Sequence, residues 1–160
     1  MKKVLLATLP VAFMAASAVP ASAGNAIVQG FVAPVCEVDI DVEDLYLADN
    51  LIAGTSIGTA VTFNCNDTDG ADVSMTTSEG GLESDDQEDL EVEYVATLSA
   101  GALNLVLDTG PVQGNNDKTV SGTLPASGTP TVGSLTVVLT DSAPWAGGYS
   151  DTISIDIVAN

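Results

Sequence analysis

The chain has 160 residues with 22 Asp and Glu against three Lys and Arg, no histidine, and a formal net charge of −19. With almost nothing to neutralise phosphate, it is excluded as a nucleic-acid binder, and attraction to an anionic bilayer fails on the same ground. So much acid reads as a solvated surface that keeps an otherwise apolar chain soluble, in a medium salty enough to screen its self-repulsion.

The first residues set the compartment. Lys2 and Lys3 form a basic start, residues 4–13 an apolar run, and Ala21-Ser22-Ala23 a small-residue cleavage site, so residues 1–23 read as a secretory signal peptide. The apolar run is too short to span a bilayer and is broken by Pro10, which leaves residues 24–160 as a single domain with no membrane span. Lys118 is then the only basic side chain. Cys36 and Cys65 are the only cysteines, and an even count in an exported chain argues for one disulfide. Closing a loop of about thirty residues is worth roughly 3–4 kcal/mol in the chain-entropy description.

From residue 25 the chain is a succession of short strand-like runs separated by Gly, Asn, Asp, Ser and Pro. Residues 26–32 form the first, weakly patterned. Cys36, Val38, Ile40 and Val42 alternate with acids in the second, followed by Leu45 and Leu47. Val61, Phe63 and Cys65 share a face in the third, so both cysteines are expected on inward faces. After the turn at residues 66–70 a strand carries Val73, Met75 and Thr77; residues 79–89, the most acidic stretch, read as an exposed loop. Leu90, Val92, Tyr94, Ala96 and Leu98 resume the alternation, Leu103, Leu105 and Leu107 continue it, and residues 108–118 read as a second polar loop. A brief strand at 120–124, a connection at 125–133, and a strand with Leu135, Val137 and Leu139 precede the last run. There Gly147-Gly148 make a turn, Tyr149 and Asp151 open a strand, and Ile153, Ile155 and Ile157 alternate with Ser154, Asp156 and Val158. No window carries a helical period, and the pattern predicts an all-β sandwich.

Little chemistry is legible. Carboxylates are so abundant that some pair always falls at a catalytic separation, which empties the signal. A serine nucleophile lacks its histidine, and Lys118 has no Ser-x-x-Lys around it, so no enzyme is expected and no catalytic, cofactor or metal residue is assigned. Asp67, Asp69 and Asp72 around Gly70, and the acids of residues 83–89, raise the question of calcium, but neither run has EF-hand spacing and a polar turn explains the first as well.

Taken together, the signal peptide, Val35-Cys36-Glu37-Val38, the segment Val61-Thr62-Phe63-Asn64-Cys65-Asn66-Asp67-Thr68 and the closing Ala146-Gly147-Gly148-Tyr149-Ser150-Asp151-Thr152-Ile153 resemble the spore coat protein U-like domain, a family that includes the pilins of archaic chaperone–usher pili. The likeness spans most of residues 26–160, with the final segment its most specific part. It implies an immunoglobulin-like β-sandwich that lacks its last strand and is completed by donor-strand exchange. The function implied is that of a structural subunit of a surface fibre serving adhesion or biofilm formation. Its partners would be neighbouring pilin subunits, a periplasmic chaperone and an outer-membrane usher, on a route through the periplasm to the cell surface. Within residues 24–33 the donor strand would present Ile27, Gln29 and Phe31, and the acceptor groove would lie beside Ile153, Ile155 and Ile157. Residues 26–32 can equally be the first strand of their own sandwich, because periodicity does not say which chain a strand pairs with. The alternative function is a self-contained extracellular or periplasmic binding or matrix domain, with calcium as its conceivable ligand.

Overall fold

The computed structural model describes residues 27–86, 90–110 and 117–160. Period-2 alternation decides the long strands. In β3 (Ala71–Thr77) Ala71, Val73, Met75 and Thr77 are all buried while Asp72 faces solvent, and in β6 (Tyr94–Ala100) Tyr94, Ala96, Leu98 and Ala100 are buried. Leu103, Leu105 and Leu107 do the same in β7 (Leu103–Asp108), and Val61 and Phe63 in β2 (Ser56–Cys65). The remaining strands are β1 (Cys36–Ile40), β4 (Leu82–Ser84), β5 (Glu91–Val92), β8 (Thr119–Leu124), β9 (Thr131–Leu139), β10 (Tyr149–Ser150) and β11 (Ile153–Ala159). No helix occurs among the described residues.

The strands form a five-stranded sheet in the order β1-β2-β9-β6-β7, a three-stranded sheet β11-β3-β8, and a small sheet β10-β4-β5. Every pairing in these sheets is antiparallel. Their inward faces share one core that holds Val61, Phe63, Val73, Met75, Tyr94, Leu98, Leu135 and Ile155, so the fold is the expected all-β, immunoglobulin-like sandwich. On one side β7 lies against β8 and closes the two large sheets over each other. Gly122 of β8 permits that closure: a Cβ there would stand 2.8 Å from Leu105 Cδ2. On the other side the edges are β1 and β11, each hydrogen-bonded to one neighbour among the described residues.

Cys36 and Cys65 form the disulfide. They are directly paired at the end of the β1–β2 ladder, with Cα atoms 4.1 Å apart, and so tie two neighbours of one sheet rather than bridging the sandwich. Both are half-buried.

Several boundaries differ from those read off the sequence. The stretch 79–89 is not simply an exposed loop: Gly80, Gly81, Leu82 and Ser84 are buried, and Leu82–Ser84 is a strand. Gly80 takes a φ of +81° that favours glycine, and Leu82 turns inward while Glu83 beside it stays half-buried. Tyr149–Ser150 is a separate short strand paired with β4, so the last long strand begins at Ile153. β9 begins at Thr131, earlier than the Pro/Gly-rich sequence suggests, because Gly133 sits opposite Val61 and Ala100 between two neighbouring strands and a Cβ there would run into Ser99 and Ala100. Tyr94 leads a strand separate from β5, and Val42 lies beyond the end of β1 and is 50% exposed.

The chain divides into two units, residues 1–31 and 32–160. Residues 1–23, read as a signal peptide, lie outside the described residues, as do residues 87–89 and 111–116 of the two acidic or polar loops. Residues 27–35 form no strand, although 26–32 read as one; Ile27 is 82% and Phe31 88% exposed, and Gln29 is exposed as well.

Candidate functional site

β1 and β11 approach each other, yet between the segment after β1 and the start of β11 the core is open. A groove of about 420 Å³ is lined by Val38 and Ile40 of β1, Leu45 and Leu47 of the segment after it, Ile57, Ile153, and the deeper Tyr94, Leu135 and Val137. Val38, Ile40, Leu45, Leu47, Ile57 and Ile153 pack on the core yet are only half-buried. The edge of β1 and the start of β11, neither hydrogen-bonded to a further strand on its outer side among the described residues, flank an apolar floor, which is the geometry that accepts an added strand.

The groove has one polar end, built around Asp151. Its Oδ1 accepts hydrogen bonds from the Ser78 amide (3.1 Å), the Ser78 hydroxyl (2.9 Å), the Glu79 amide (3.0 Å) and the Thr152 amide (2.6 Å). Its Oδ2 accepts one from the Tyr94 hydroxyl at 2.7 Å. One carboxylate therefore ties the turn after β3 to the entry of β11 and orients a buried phenol on the groove floor. Burial first, then the charge of Asp151 and the hydrogen bond to it, raise the Tyr94 pKa well above its ordinary value of 10.0.

At the opposite end of β1 the chain enters the sandwich. The Asn66 amide donates to the Val35 carbonyl (3.1 Å), extending the β1–β2 ladder by one residue. Beyond that point the Asn66 side chain substitutes for a strand, because Oδ1 accepts from the Val35 amide (2.6 Å) and Nδ2 donates to the Ala33 carbonyl (3.1 Å). Residues 33–35 are thereby pinned in line with β1.

The predicted acceptor residues separate. Ile153 lines the groove, Ile155 is buried in the core at 8% exposure, and Ile157 is half-buried and packed on the core away from the groove lining. The other wall, Val38, Ile40, Leu45 and Leu47, was not assigned from sequence, although the alternation from Cys36 to Val42 was visible and marked one face of an edge strand. A wider cleft of about 1010 Å³ adjoins the groove and is lined by Tyr46, Trp145 and Tyr149 together with Glu43, Asp44 and Asp49. Trp145 is 68% exposed; the Tyr149 hydroxyl donates to its carbonyl at 3.1 Å, and Tyr46 donates to Asp49 at 2.8 Å. That hydrogen bond, then the carboxylate's charge, raises the Tyr46 pKa. The sequence shows no aromatic cluster because Tyr46 stands far from Trp145 and Tyr149 in the chain, and only the fold brings it beside them.

No three carboxylates or cysteines gather in a metal-binding group among the described residues. Asp67 instead accepts the Asp69 amide at 2.9 Å, the Asx geometry of a turn that Gly70 completes at φ +87°. Lys118 donates to the carbonyls of Asp108 (3.4 Å), Thr109 and Gly110 (3.2 Å), so its ammonium fastens the end of β7. No helix among the described residues is long and apolar enough to cross a membrane.

Fold and groove define an immunoglobulin-like sandwich open along one edge. No protein-family model matches the chain, and no curated protein does. Among solved structures it is similar to a chain from a study of a chaperone–tip adhesin complex in CFA/I fimbriae biogenesis, with a TM-score of 0.50 and 14% sequence identity. The match covers 78% of this chain and 42% of that one, and at such identity the likeness is one of fold.

Proposed function

We propose that this chain is a structural subunit of an exported surface fibre, a pilin related to the spore coat protein U-like domains, whose groove is filled by residues 25–32 of a second copy. The observation that carries the reading is the pairing of an apolar groove between two edge strands with an exposed apolar segment just upstream of β1. Ile27, Gln29 and Phe31 fall on one side of an extended segment, and its bulky members match a floor of Val38, Ile40, Leu135 and Ile153. The added strand removes two open edges and hides half-buried aliphatic side chains, so association lowers the free energy at both. A donor at one end of β1 and an acceptor along its edge make a head-to-tail contact that does not close on itself, and such contacts build filaments.

A subunit with an unfilled groove needs protection in transit, which a periplasmic chaperone and an outer-membrane usher supply in this scheme. The solved structure it resembles comes from work on a chaperone–tip adhesin complex, and that likeness supports the scheme at the level of fold. Adhesion or biofilm formation is the role of the assembled fibre, and no catalytic residue enters it.

Deleting residues 25–32 is expected to abolish polymers, seen by electron microscopy, while leaving a soluble monomer or chaperone complex. Filaments that persist after the deletion overturn the reading. The second reading, a self-contained binding or matrix domain, draws on the aromatic-lined cleft beside the groove; an isolated chain that stays monomeric with no partner favours it.

A further inference from the structure

The spacing of the arm and β1 poses a problem for any in-trans scheme, because it allows the arm to fill its own groove. A hairpin with residues 32–35 as its loop would place Phe31 opposite Cys36, Gln29 opposite Val38 and Ile27 opposite Ile40. Directly opposed residues of an antiparallel pair point to the same face, and Cys36, Val38 and Ile40 are the inward-facing residues of β1. A four-residue loop is within the ordinary hairpin range. Such a subunit would complete itself and could not polymerise.

We propose that Asn66, acting with Pro34, is the positioning residue that forbids this fold-back and commits the arm to a neighbouring copy; the inference rests on the fibre reading above. The hairpin needs residues 32–35 to reverse direction. Instead Val35 is held on both its amide and its carbonyl, and Ala33 on its carbonyl, by the backbone and side chain of Asn66. Ala33 precedes a proline, which disfavours the helical backbone angles that a tight turn requires. Backbone groups of Ala33 and Val35 that a loop would need free to make its own turn are already taken. The adjacent Cys36–Cys65 disulfide anchors the strand end from which the clamp acts. An alanine at position 66 would keep the ladder bond and lose both side-chain bonds.

The test uses the exported chain, from Gly24 to Asn160, as wild type, Asn66→Ala and Pro34→Gly. Chymotrypsin cleavage after Phe31 in freshly isolated monomer reports whether the arm is free, and size-exclusion chromatography with light scattering follows polymer growth. Wild-type arms are expected to be cut rapidly. In Asn66→Ala the arm becomes protected and polymer growth slows about tenfold or more, the scale expected for losing two hydrogen bonds; Pro34→Gly moves the same way and reads the same root should Asn66→Ala fail to fold. Asn66→Asp, which keeps the acceptor and loses the donor, falls between. Arms cut at the wild-type rate in both Asn66→Ala and Pro34→Gly overturn the clamp, whatever the polymers do. A wild-type chain that never polymerises overturns the fibre reading instead, and arm protection still decides the role of Asn66.

Discussion

The two long sides of the sandwich start from similar aliphatic side chains and end differently. Along β7 and β8, Leu103, Leu105, Leu107 and Leu124 are no more than 5% exposed, whereas along β1 and at the start of β11, Val38, Ile40 and Ile153 are only half-buried. On both sides the terminal strand of each sheet lacks a hydrogen-bonded outer neighbour among the described residues; what differs is that β7 and β8 come together over Gly122 along buried leucines, whereas the segment after β1 and the start of β11 leave a groove between them. Apolar content therefore does not decide whether an edge is finished. What differs is how tightly the two terminal strands pack over the core, and the segment upstream of β1, pinned at Ala33 and Val35 by Asn66, forms no strand among its described residues.

Substitutions sharpen the contrast. Leu98→Ala, in the closed core, is expected to cost the most, about 2–5 kcal/mol in chemical denaturation, since the surrounding strands cannot collapse into the space. Replacing both Cys36 and Cys65 by Ala should cost roughly 3–4 kcal/mol and be felt first in β1, whose only strand partner among the described residues is β2; amide exchange along β1 checks it. Asp151→Ala removes an acceptor of five hydrogen bonds at the groove's polar end. Its cost should be about 2 kcal/mol, tempered because the site is part-exposed and water can replace some partners. Ile153→Ala should cost only about 1 kcal/mol in the monomer, its side chain being half out of the core already, yet weaken polymers strongly. The comparison of the two sides breaks if Ile153→Ala destabilises the monomer as much as Leu98→Ala.

The smallest effect is one of pH. Because the Tyr94 pKa is raised in the folded chain, the unfolded chain releases its phenolic proton first, near pH 10. Below that pH both states hold the proton and the stability contribution is complete; above it the unfolded state gains, so stability falls as pH rises. Tyr94→Phe should flatten this alkaline loss in thermal melts taken from pH 8 to 11, and an unchanged slope would show that Tyr94 does not carry it.

Much of this architecture could be read from period-2 alternation, as at β3, β6, β7 and β11, where a largely apolar inner face alternates with a mostly polar outer one. The disulfide was legible from compartment and count alone. The groove was half legible: Ile153 emerged from its strand pattern, but alternation marks an inward face without saying whether anything covers it, so Ile155 and Ile157 looked equivalent to it. Leu82 was hidden because its strand is only three residues long and sits among charged neighbours, too short a run for alternation to show. Asn66 had no signal, since an asparagine in a turn reads as turn chemistry until the strand it imitates is seen beside it. The cleft with Tyr46, Trp145 and Tyr149 was invisible for a different reason, its walls coming from loops distant in the chain.

The central claim is that the open edge is an acceptor for the segment upstream of β1. Titrating a synthetic peptide of residues 25–32 into isotope-labelled full chain, and following amide shifts by NMR, addresses it directly. Saturable changes confined to β1, β11 and the Leu45–Leu47 wall, with β7 and β8 unmoved, are the predicted result; no binding, or shifts centred on the β7–β8 side, would contradict it.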